Sequence, residues 1–449
     1  MKSYLDEYKS KLITVDEAAK LVKSNTLVHY GEFTMASAYF DEALAKRAAE
    51  LENVAIRSIS PMFALKTLLG DPEGQHFYLH DSFFSPFSRY LADNNYPIYH
   101  LPTIYSEIPD YYWRGTINSD IAYLSAGPMD EHGFFNFGPS TSGAYTIMRL
   151  AKTRIIEIND KAPKCLGGSE EAIHISDIDF IVEGPSNPLL QVPSAQPAED
   201  EAAIAKLIVE RIEDGACLQL GIGGMPNMVG QLIAESDLKD LGVHTEMMGD
   251  SYVDMWEAGR ITGKRKAIDK MKMVYTFAMG SNKLYEFLNN NPVCAAYPCD
   301  YTNDPNRIAS NDNVVSINSS VEVDLFGQIN SESSGVRQIS GCGGQLDFLT
   351  GAYKSKGGKA FICMTSTKTN KKGELVSRIQ PTLDPGTTVT IQRGLVNYLV
   401  TEYGIVWLKG LTTWQRAEAL ISIAHPQFRD DLVKEAEKMH IWRKNNKIG

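Results

Sequence analysis

The sequence predicts an α/β protein with two similar open α/β domains, each built on a mostly parallel sheet. Short apolar strand candidates alternate along the 449 residues with amphipathic helical stretches, a rhythm typical of parallel sheets covered by helices on both faces. The two halves of the chain also come into register when Gly31 is set opposite Gly221. Between the halves, residues 184–200 contain four prolines and little periodicity, which predicts a linker.

Each half opens with the same order of elements: helix, strand, helix, strand. The candidate segments are 15–25, 26–31, 37–51 and 53–59 in the first half and 201–215, 216–221, 227–238 and 242–248 in the second. The repeated pattern predicts an internal duplication, with the generic rhythm of α/β folds as the alternative. We expect domains at residues 1–190 and 199–449, and an active site in the crevice between them, beyond the carboxyl ends of the strands.

Composition excludes several classes of function. The chain carries 44 Lys and Arg against 55 Asp and Glu, a net charge of −11, so we expect no binding to nucleic acid or to anionic membranes.

The charged N-terminus lacks the apolar core of a signal peptide, and no apolar run reaches the ~18 residues that span a bilayer. Six cysteines without a C-x-x-C pair predict thiols in a reducing cytoplasm. Nine histidines without an H-E-x-x-H motif predict no metal site.

A glycine-rich turn is the strongest local signal in the second half. Residues 221–226, Gly-Ile-Gly-Gly-Met-Pro, lie between the strand candidate 216–220 and a helical stretch. Such a turn brings backbone N–H groups and a helix N-terminus to one edge of a sheet, where phosphates bind well. The next strand candidate ends in His244-Thr245-Glu246, so we expect one carboxylate at the same edge.

The residues alone leave the role of Glu246 open. A dinucleotide fingerprint, G-x-G-x-x-G followed by an acid, would make the chain an NAD-dependent dehydrogenase. Pro226 stands where that fingerprint needs its third glycine, and no histidine–arginine pair for hydride transfer stands out. An ordinary solvated glutamate after a Gly-Pro turn is the second interpretation. A non-catalytic CoA-binding protein is the third, because it needs the turn but no carboxylate at position 246.

Several long motifs carry a family resemblance that covers nearly all of the chain. They are LGIGGMPNMVG, LGVHTEMM, VEVDLFGQINSES, SGCGGQLDF, KGGKAFICM, VTEYGIVWLKG and ISIAHPQFRDDL, within residues 220–432. In these motifs and in its duplicated halves the chain resembles the acetyl-CoA hydrolase/transferase branch of the CoA-transferases.

The resemblance implies that Glu246 is a covalent nucleophile and that the protein is a short-chain acyl-CoA:carboxylate CoA-transferase. Butyryl-CoA and acetate are the expected pair, with 4-hydroxybutyrate or propionyl-CoA transfer and acyl-CoA hydrolysis as alternatives within the family. It implies no permanently bound cofactor, because CoA is both substrate and part of the covalent intermediate. It also implies a homo-oligomer.

The resemblance further implies where CoA binds. The first glycine turn lines the CoA site, Gly343 lies at the thioester and Val321 lines the pantetheine channel. CoA phosphates call for cations, and Lys368 is the better candidate near the second turn, because a solvated hairpin tip explains Lys371 and Lys372. The predicted CoA contacts are Gly221, Ile222, Gly223, Gly224, Met225, Val321, Gly343 and Lys368.

Three further assignments stay open between function and structure. Residues 341–344 form a second glycine turn that supplies oxyanion donors or is a simple loop. His244, two residues before Glu246 and on the same strand face, orients the carboxylate, touches substrate or packs as a hydrogen-bonded histidine. The aromatic segments 133–140 and 29–33 line an acyl pocket or pack in the core.

Overall fold

The computed structural model describes residues 4–192 and 197–443. Its contacts divide the chain into two compact units. The first comprises Met1–Pro193, Met248–Asp250 and Val274–Thr302, and the second Ser194–Met247, Ser251–Met273 and Asn303–Gly449. The division after residue 193 falls inside the predicted linker, of which residues 193–196 lie outside the described residues. Backbone hydrogen bonds from Val192 to Gly280 and from Cys299 to Ser142 tie residues 274–302 to the first unit.

The helices and strands alternate as the sequence predicts. Residues 4–192 form helices α1 Leu5–Lys11, α2 Val15–Leu21, α3 Ala38–Ala45, α4 Lys66–Leu69, α5 Pro86–Asp93, α6 Ile108–Trp113 and α7 Ala144–Leu150, and strands β1 Leu27–Glu32, β2 Val54–Ile59, β3 Phe77–Asp81, β4 Ile98–His100, β5 Ile121–Ala126, β6 Phe134–Asn136, β7 Thr153–Ile158, β8 Ala172–His174 and β9 Phe180–Glu183. Short 3-10 helices lie at Phe33–Met35, Ala48–Glu50, Tyr105–Glu107 and Ile175–Asp177.

Residues 197–443 continue the alternation. The helices are α8 Glu199–Val209, α9 Gly224–Glu235, α10 Asp250–Glu257, α11 Asn282–Leu288, α12 Cys299–Thr302, α13 Pro305–Ala309, α14 Gln345–Lys354, α15 Thr413–Ser422 and α16 Pro426–Lys438. The strands are β10 Cys217–Leu220, β11 Gly242–His244, β12 Met247–Met248, β13 Met273–Tyr275, β14 Phe277–Ala278, β15 Cys294–Ala296, β16 Val314–Ser319, β17 Glu322–Asp324, β18 Ile329–Asn330, β19 Ser333–Ser334, β20 Arg337–Gln338, β21 Lys359–Cys363, β22 Thr367–Thr369, β23 Leu375–Ser377, β24 Ile379–Gln380, β25 Tyr398–Thr401 and β26 Gly404–Trp407.

The first unit contains a parallel sheet with the strand order β4-β3-β2-β1-β5-β7-β9 among the described residues. Every residue of β2 and β5 is buried, as expected for central strands of a parallel sheet with helices on both faces. Val28, Ile56 and Leu79 pack with Phe40 and Leu44 of α3 in one hydrophobic core.

The main sheet of the second unit repeats this order. Strands β11, β10, β16, β21 and β25 lie side by side in that sequence, as β2, β1, β5, β7 and β9 do in the first unit. Their pairing is parallel, and β26 adds an antiparallel edge to β25. The predicted pair of similar, mostly parallel sheets is therefore confirmed, and the matching strand order supports the predicted duplication.

Local side-chain chemistry sets where several helices begin. The Thr14 hydroxyl accepts a hydrogen bond from the backbone N–H of Glu17, whose carboxylate accepts one from the N–H of Thr14, so α2 begins with a capping box. The Ser85 hydroxyl caps α5 by accepting a hydrogen bond from the backbone N–H of Ser88. Helix α9 differs, because it follows Gly223 and has no side-chain cap. Its first-turn N–H groups therefore need another acceptor.

Three segments that carry predicted site residues follow the carboxyl ends of neighbouring strands of the second unit. The glycine turn follows β10, Glu246 follows β11 and Val321 follows β16. Because these strands run parallel, their carboxyl ends share one edge of the sheet. Within the described residues, no helix is long and apolar enough to cross a membrane.

Replacing Ile362 with alanine is expected to destabilise the second unit by about 2–5 kcal/mol, because the side chain is 1% exposed and fills the core between β21 and its helices. Urea-induced unfolding of the full chain measures the change. The control is Lys371→Ala at the exposed tip between β22 and β23, where a change within about 0.5 kcal/mol is expected. An equal loss in both variants would contradict the assignment of Ile362 to the core.

Candidate active site

The carboxylate of Glu246 is held by two hydrogen-bond donors of the second unit. Glu246 lies at a bend between β11 and β12 and is partly exposed. Its Oε2 accepts a hydrogen bond of 2.6 Å from Nδ2 of Asn303. The backbone N–H of Gly344 donates to the same carboxylate. Donors from two distant parts of the chain therefore fix the carboxylate that the sequence singles out.

Gly344 leaves room for this carboxylate because it has no side chain. A Cβ atom at position 344 would collide with Oε2 of Glu246 and with Nδ2 of Asn303. Gly344 is also the N-cap of α14, so the carboxylate lies at the positive end of a ten-residue helix. The preceding Gly343 has a φ of 51°, in the left-handed region that favours glycine. The second glycine turn thus shapes the site around Glu246.

The environment of Glu246 shifts its ionisation towards higher pH. Burial is the largest effect and raises its pKa to about 8, and the charge of Asp347 raises the pKa further. The hydrogen bonds from Asn303 and from the Gly344 N–H lower the pKa and only partly offset these effects. Asp347 is buried in the first turn of α14, three residues after Gly344. A carboxylate of raised pKa is more basic when ionised, which favours a nucleophilic role.

His244 is placed in the core next to the site. Its side chain is fully buried in β11, and its ring lies 6.3 Å from the ring of Phe348 in α14. These contacts favour the packing role among the three that the sequence leaves open.

The first glycine turn has the predicted strand–turn–helix form. Gly223 has a φ of 125°, which favours glycine. The N–H of Gly221 donates to the carbonyl oxygen of Ile317 at 2.8 Å, so that group belongs to the sheet. Ile222 is 49% exposed, whereas Met225 is buried. Residues 222–224 are therefore the part of the turn that faces outwards at the helix N-terminus.

An acid that sequence reasoning missed lies against this helix N-terminus. A Cβ atom on Gly224 would lie 2.9 Å from Oε2 of Glu201. Glu201 belongs to the first turn of α8, where its carboxylate accepts a hydrogen bond from the N–H of Ala198. The side chain of Arg378 interacts electrostatically with Glu201, Glu402 and Glu322. The turn that the sequence assigns to phosphates is thus bordered by both acidic and basic groups.

Glu322, the residue that follows Val321, lies near Lys368. The N–H of Val321 donates to the carbonyl oxygen of Asn330 at 2.8 Å. Nζ of Lys368 lies 4.0 Å from Oε2 of the buried Glu322. Lys368, which is predicted to bind a CoA phosphate, therefore already faces a carboxylate. Lys371 and Lys372 are exposed in the turn of the β22–β23 hairpin, as the hairpin interpretation predicts.

Of the predicted CoA contacts, Gly343 adjoins the residue that contacts Glu246. Gly221 to Met225 follow β10, Val321 follows β16 and Lys368 lies in β22. Sequence reasoning missed Asn303, Asp347 and the direct contact of Gly344. The G-G-Q-L-D-F motif carries two of these three, but nothing in the sequence around Asn303 indicates that it reaches residue 246.

The two aromatic segments of the first unit divide between core and surface. Phe135 and Phe137 are buried, while Phe134 is 41% exposed and borders a cleft of about 880 Å³ with Tyr145 and Lys164. In the other segment, Phe33 stacks on Phe277 with a centroid distance of 3.8 Å. Core packing therefore explains most of these aromatic rings.

Family profiles match both parts of the chain. The acetyl-CoA hydrolase/transferase N-terminal domain matches residues 1–193, and the C-terminal domain of the same family matches residues 280–436. The chain belongs to the acetyl-CoA hydrolase/transferase family. The predicted family is thereby confirmed, and CoA-transferase relatives that are 50–52% identical confirm the predicted class of enzyme.

Similar proteins of this family cover the whole chain. Butyryl-CoA:acetate CoA-transferase of Anaerostipes caccae is 52% identical over 446 residues, which cover 99% of this chain and 100% of that protein. Probable butyrate:acetyl-CoA coenzyme A-transferase of Syntrophomonas wolfei is 50% identical and covers 99% of both chains. The crystal structure of RipA from Yersinia pestis has a TM-score of 0.88 at 36% identity, over 98% of this chain and 100% of that chain. The similarity includes the fold as well as the sequence.

Replacing Gly344 with alanine is expected to lower the rate of CoA transfer by about a hundredfold, because displacing a reacting group by ~1 Å has an effect of that size. The displaced group here is the Glu246 carboxylate, the predicted nucleophile, which the added Cβ would push aside. Steady-state kinetics with acyl-CoA and acetate measure the effect. Gly394→Ala is the matched control, because its Cβ would meet its nearest neighbour at an ordinary 3.4 Å. Full activity of the Gly344 variant would contradict this geometry.

Replacing Asp347 with asparagine is expected to move the pH dependence of kcat/KM to lower pH. The predicted role of Glu246 as nucleophile requires its ionised form, so activity should rise as pH approaches about 8. Removing the Asp347 charge removes one cause of the raised pKa. Profiles of kcat/KM against pH measure the shift. Asp312→Asn makes the same change of charge at an exposed site of the second unit and should leave the profile unchanged. A profile that does not move in the Asp347 variant would contradict the electrostatic role.

Proposed function

We propose that this protein transfers CoA between a short-chain acyl-CoA and a carboxylate, with butyryl-CoA and acetate as its principal pair. Relatives that are 50–52% identical over the full chain bear the names of butyryl-CoA or butyrate CoA-transferases. The observation that carries the proposal is the Glu246 carboxylate, held by Asn303 and by the N–H of Gly344 at the N-terminus of α14.

The reaction needs one enzyme carboxylate and no net redox change. Glu246 attacks the thioester carbonyl, which gives an acyl-glutamyl anhydride and releases CoA thiolate. The thiolate then attacks the glutamyl carbonyl, which forms a glutamyl-CoA thioester and releases the first carboxylate. An acceptor carboxylate reverses both steps and leaves as a new acyl-CoA. The kinetics are therefore ping-pong.

The donors around Glu246 suit the oxyanions of these steps. When the thiolate attacks the glutamyl carbonyl, negative charge develops on an oxygen of Glu246. Asn303 and the Gly344 N–H already donate to that carboxylate, so they stabilise the charge without moving far. One such donor is worth ~3–4 kcal/mol of transition-state stabilisation. Both covalent intermediates are also uncharged at Glu246, which relieves its repulsion with Asp347.

The predicted CoA contacts remain part of the proposal. They are Gly221, Ile222, Gly223, Gly224, Met225, Val321, Gly343 and Lys368. We also propose a homo-oligomer in the cytoplasm. The free thiols of Cys217 and Cys363 support a reducing compartment.

The mechanism can be tested by incubating the protein with butyryl-CoA. Mass spectrometry then shows whether the peptide that contains Glu246 carries a CoA adduct. We expect the adduct in the native protein and its absence in Glu246→Gln, together with loss of turnover. Glu246→Asp should lose about a hundredfold in rate, because one methylene misplaces the attacking oxygen. Glu235→Gln, an exposed glutamate of α9, is the control that should behave as the native protein does.

The alternatives give different results in the same assay. Unchanged turnover in Glu246→Gln with no adduct would rule out the covalent mechanism. Release of butyrate at the full rate without acetate would favour hydrolysis, the second activity that the family description names. An adduct that turns over only when a carboxylate is added supports the transferase.

A further inference from the structure

Two neighbouring strands of the second sheet separate at the edge where Glu246 lies. The pairing of β10 with β11 ends at Leu218 and Val243. On its other side, β10 stays paired with β16 up to Leu220 and Ile317. Strand β11 therefore leaves β10 two residues before β10 ends, and the chain bends at residues 245–247 instead of continuing the ladder.

A buried tyrosine hydroxyl takes the place of the strand neighbour that β10 loses. The N–H of Gly221 donates to the carbonyl oxygen of Ile317 in β16, and successive N–H groups of a strand point to opposite sides. The N–H of Leu220 therefore points to the side of β11, where the Tyr252 hydroxyl accepts its hydrogen bond at 2.8 Å. Tyr252 belongs to α10 and is 1% exposed. Its hydroxyl satisfies a buried N–H group that the ladder leaves open.

The same hydroxyl reaches the residue before Glu246. Burial raises the pKa of Tyr252, and its hydrogen bonds with the Thr245 side chain and with the Leu220 N–H only partly offset that effect, so the hydroxyl keeps its proton. The Thr245 hydroxyl is fully buried and donates to the carbonyl oxygen of Met247 at 3.1 Å. The proton between the two hydroxyls is therefore that of Tyr252. A chain of three hydrogen bonds thus joins the end of β10 to the bend at residues 245–247.

We propose that Tyr252 is a positioning residue for CoA transfer, which fixes the bend that carries Glu246 relative to the first glycine turn. Leu220 directly precedes that turn, and Thr245 directly precedes Glu246. All of these residues belong to the second unit. Because Tyr252 is buried, it acts through Leu220 and Thr245 and not by contact with substrate.

The backbone support from Tyr252 complements the contacts of the carboxylate itself. Asn303 and the Gly344 N–H hold the tip of the Glu246 side chain, whereas Thr245 fixes the backbone from which that side chain extends. Without the Tyr252 hydroxyl, the Leu220 N–H loses its acceptor and the bend loses its support on that side. The attacking oxygen is then displaced from the thioester carbonyl, and ~1 Å of displacement can lower the rate a hundredfold.

The rate at which the CoA adduct forms on Glu246 tests this role, which rests on the proposed function. Full-length Tyr252→Phe, quenched at a series of times after mixing with butyryl-CoA, should form the adduct about ten- to a hundredfold more slowly than the native protein. Thermal unfolding confirms that the variant is folded. A native rate in folded Tyr252→Phe would overturn the proposal.

Variants of Thr245 make the same test without changing the tyrosine. Thr245→Val breaks the chain and should slow the adduct, whereas Thr245→Ser keeps the hydroxyl and should react at the native rate. Thr401→Val is the matched control, because the hydroxyl of the equally buried Thr401 also donates to a backbone carbonyl oxygen, that of Ile423 at 2.6 Å. It should react at the native rate. Equal slowing in Thr245→Val and Thr401→Val would contradict a specific role for the chain.

The double variant Tyr252→Phe, Thr245→Val shows whether the two hydroxyls act together. Because both belong to one chain of hydrogen bonds, the double variant should be little slower than the slower single variant. Rates that fall by the product of the two single effects would show two independent defects and overturn the coupling.

Hydrogen exchange, followed by mass spectrometry, tests the chain without any reaction. The peptide that contains the Leu220 amide should exchange faster in Tyr252→Phe than in the native protein, and unchanged exchange would contradict the hydrogen bond. The two proposals therefore fail separately. Absence of the adduct in the native protein, with faster exchange in the variant, would refute the transferase mechanism alone. A normal adduct rate in Tyr252→Phe would refute only the positioning role.

Discussion

The structure of the site depends on the approach of one carboxylate to the backbone at the start of α14. Gly344 has no side chain, so Glu246 reaches the helix end that any larger residue would block. The rest follows from this contact: β11 must end two residues earlier, α14 must begin at residue 345, and Asn303 must lie beside both. The parallel sheet of the second unit supplies the common edge at which these chain segments meet.

The duplicated sheets carry different chemistry at equivalent places. With Gly31 opposite Gly221, Glu32 at the end of β1 corresponds to Ile222 in the glycine turn after β10. One unit therefore places a buried acid where the other places an exposed backbone turn. The similar strand order determines the positions at which functional groups can lie. The residues of the loops that follow the strands determine which groups lie there.

Sequence reasoning recovered the features that depend on local pattern. Strands such as β10 and helices such as α9 follow from periodicity and turn residues, and Glu246 follows from motifs that span a few residues. Asn303 could not be found in this way, because 57 residues separate it from Glu246 and only the folded sheet brings them together. The burial of Arg57 could have been predicted, because it stands in the middle of the apolar strand Val54–Ile59.

Glu201 has a consequence for how tightly a nucleotide substrate is held. Its carboxylate lies against Gly224, at the helix end that attracts anions. A phosphate group that approaches α9 therefore meets repulsion together with attraction, which limits its affinity. In a ping-pong transferase, CoA is retained by a covalent bond between the two half-reactions and must leave promptly after the second. With CoA bound at this turn as proposed, weak electrostatic retention favours rapid turnover over tight binding of the finished product.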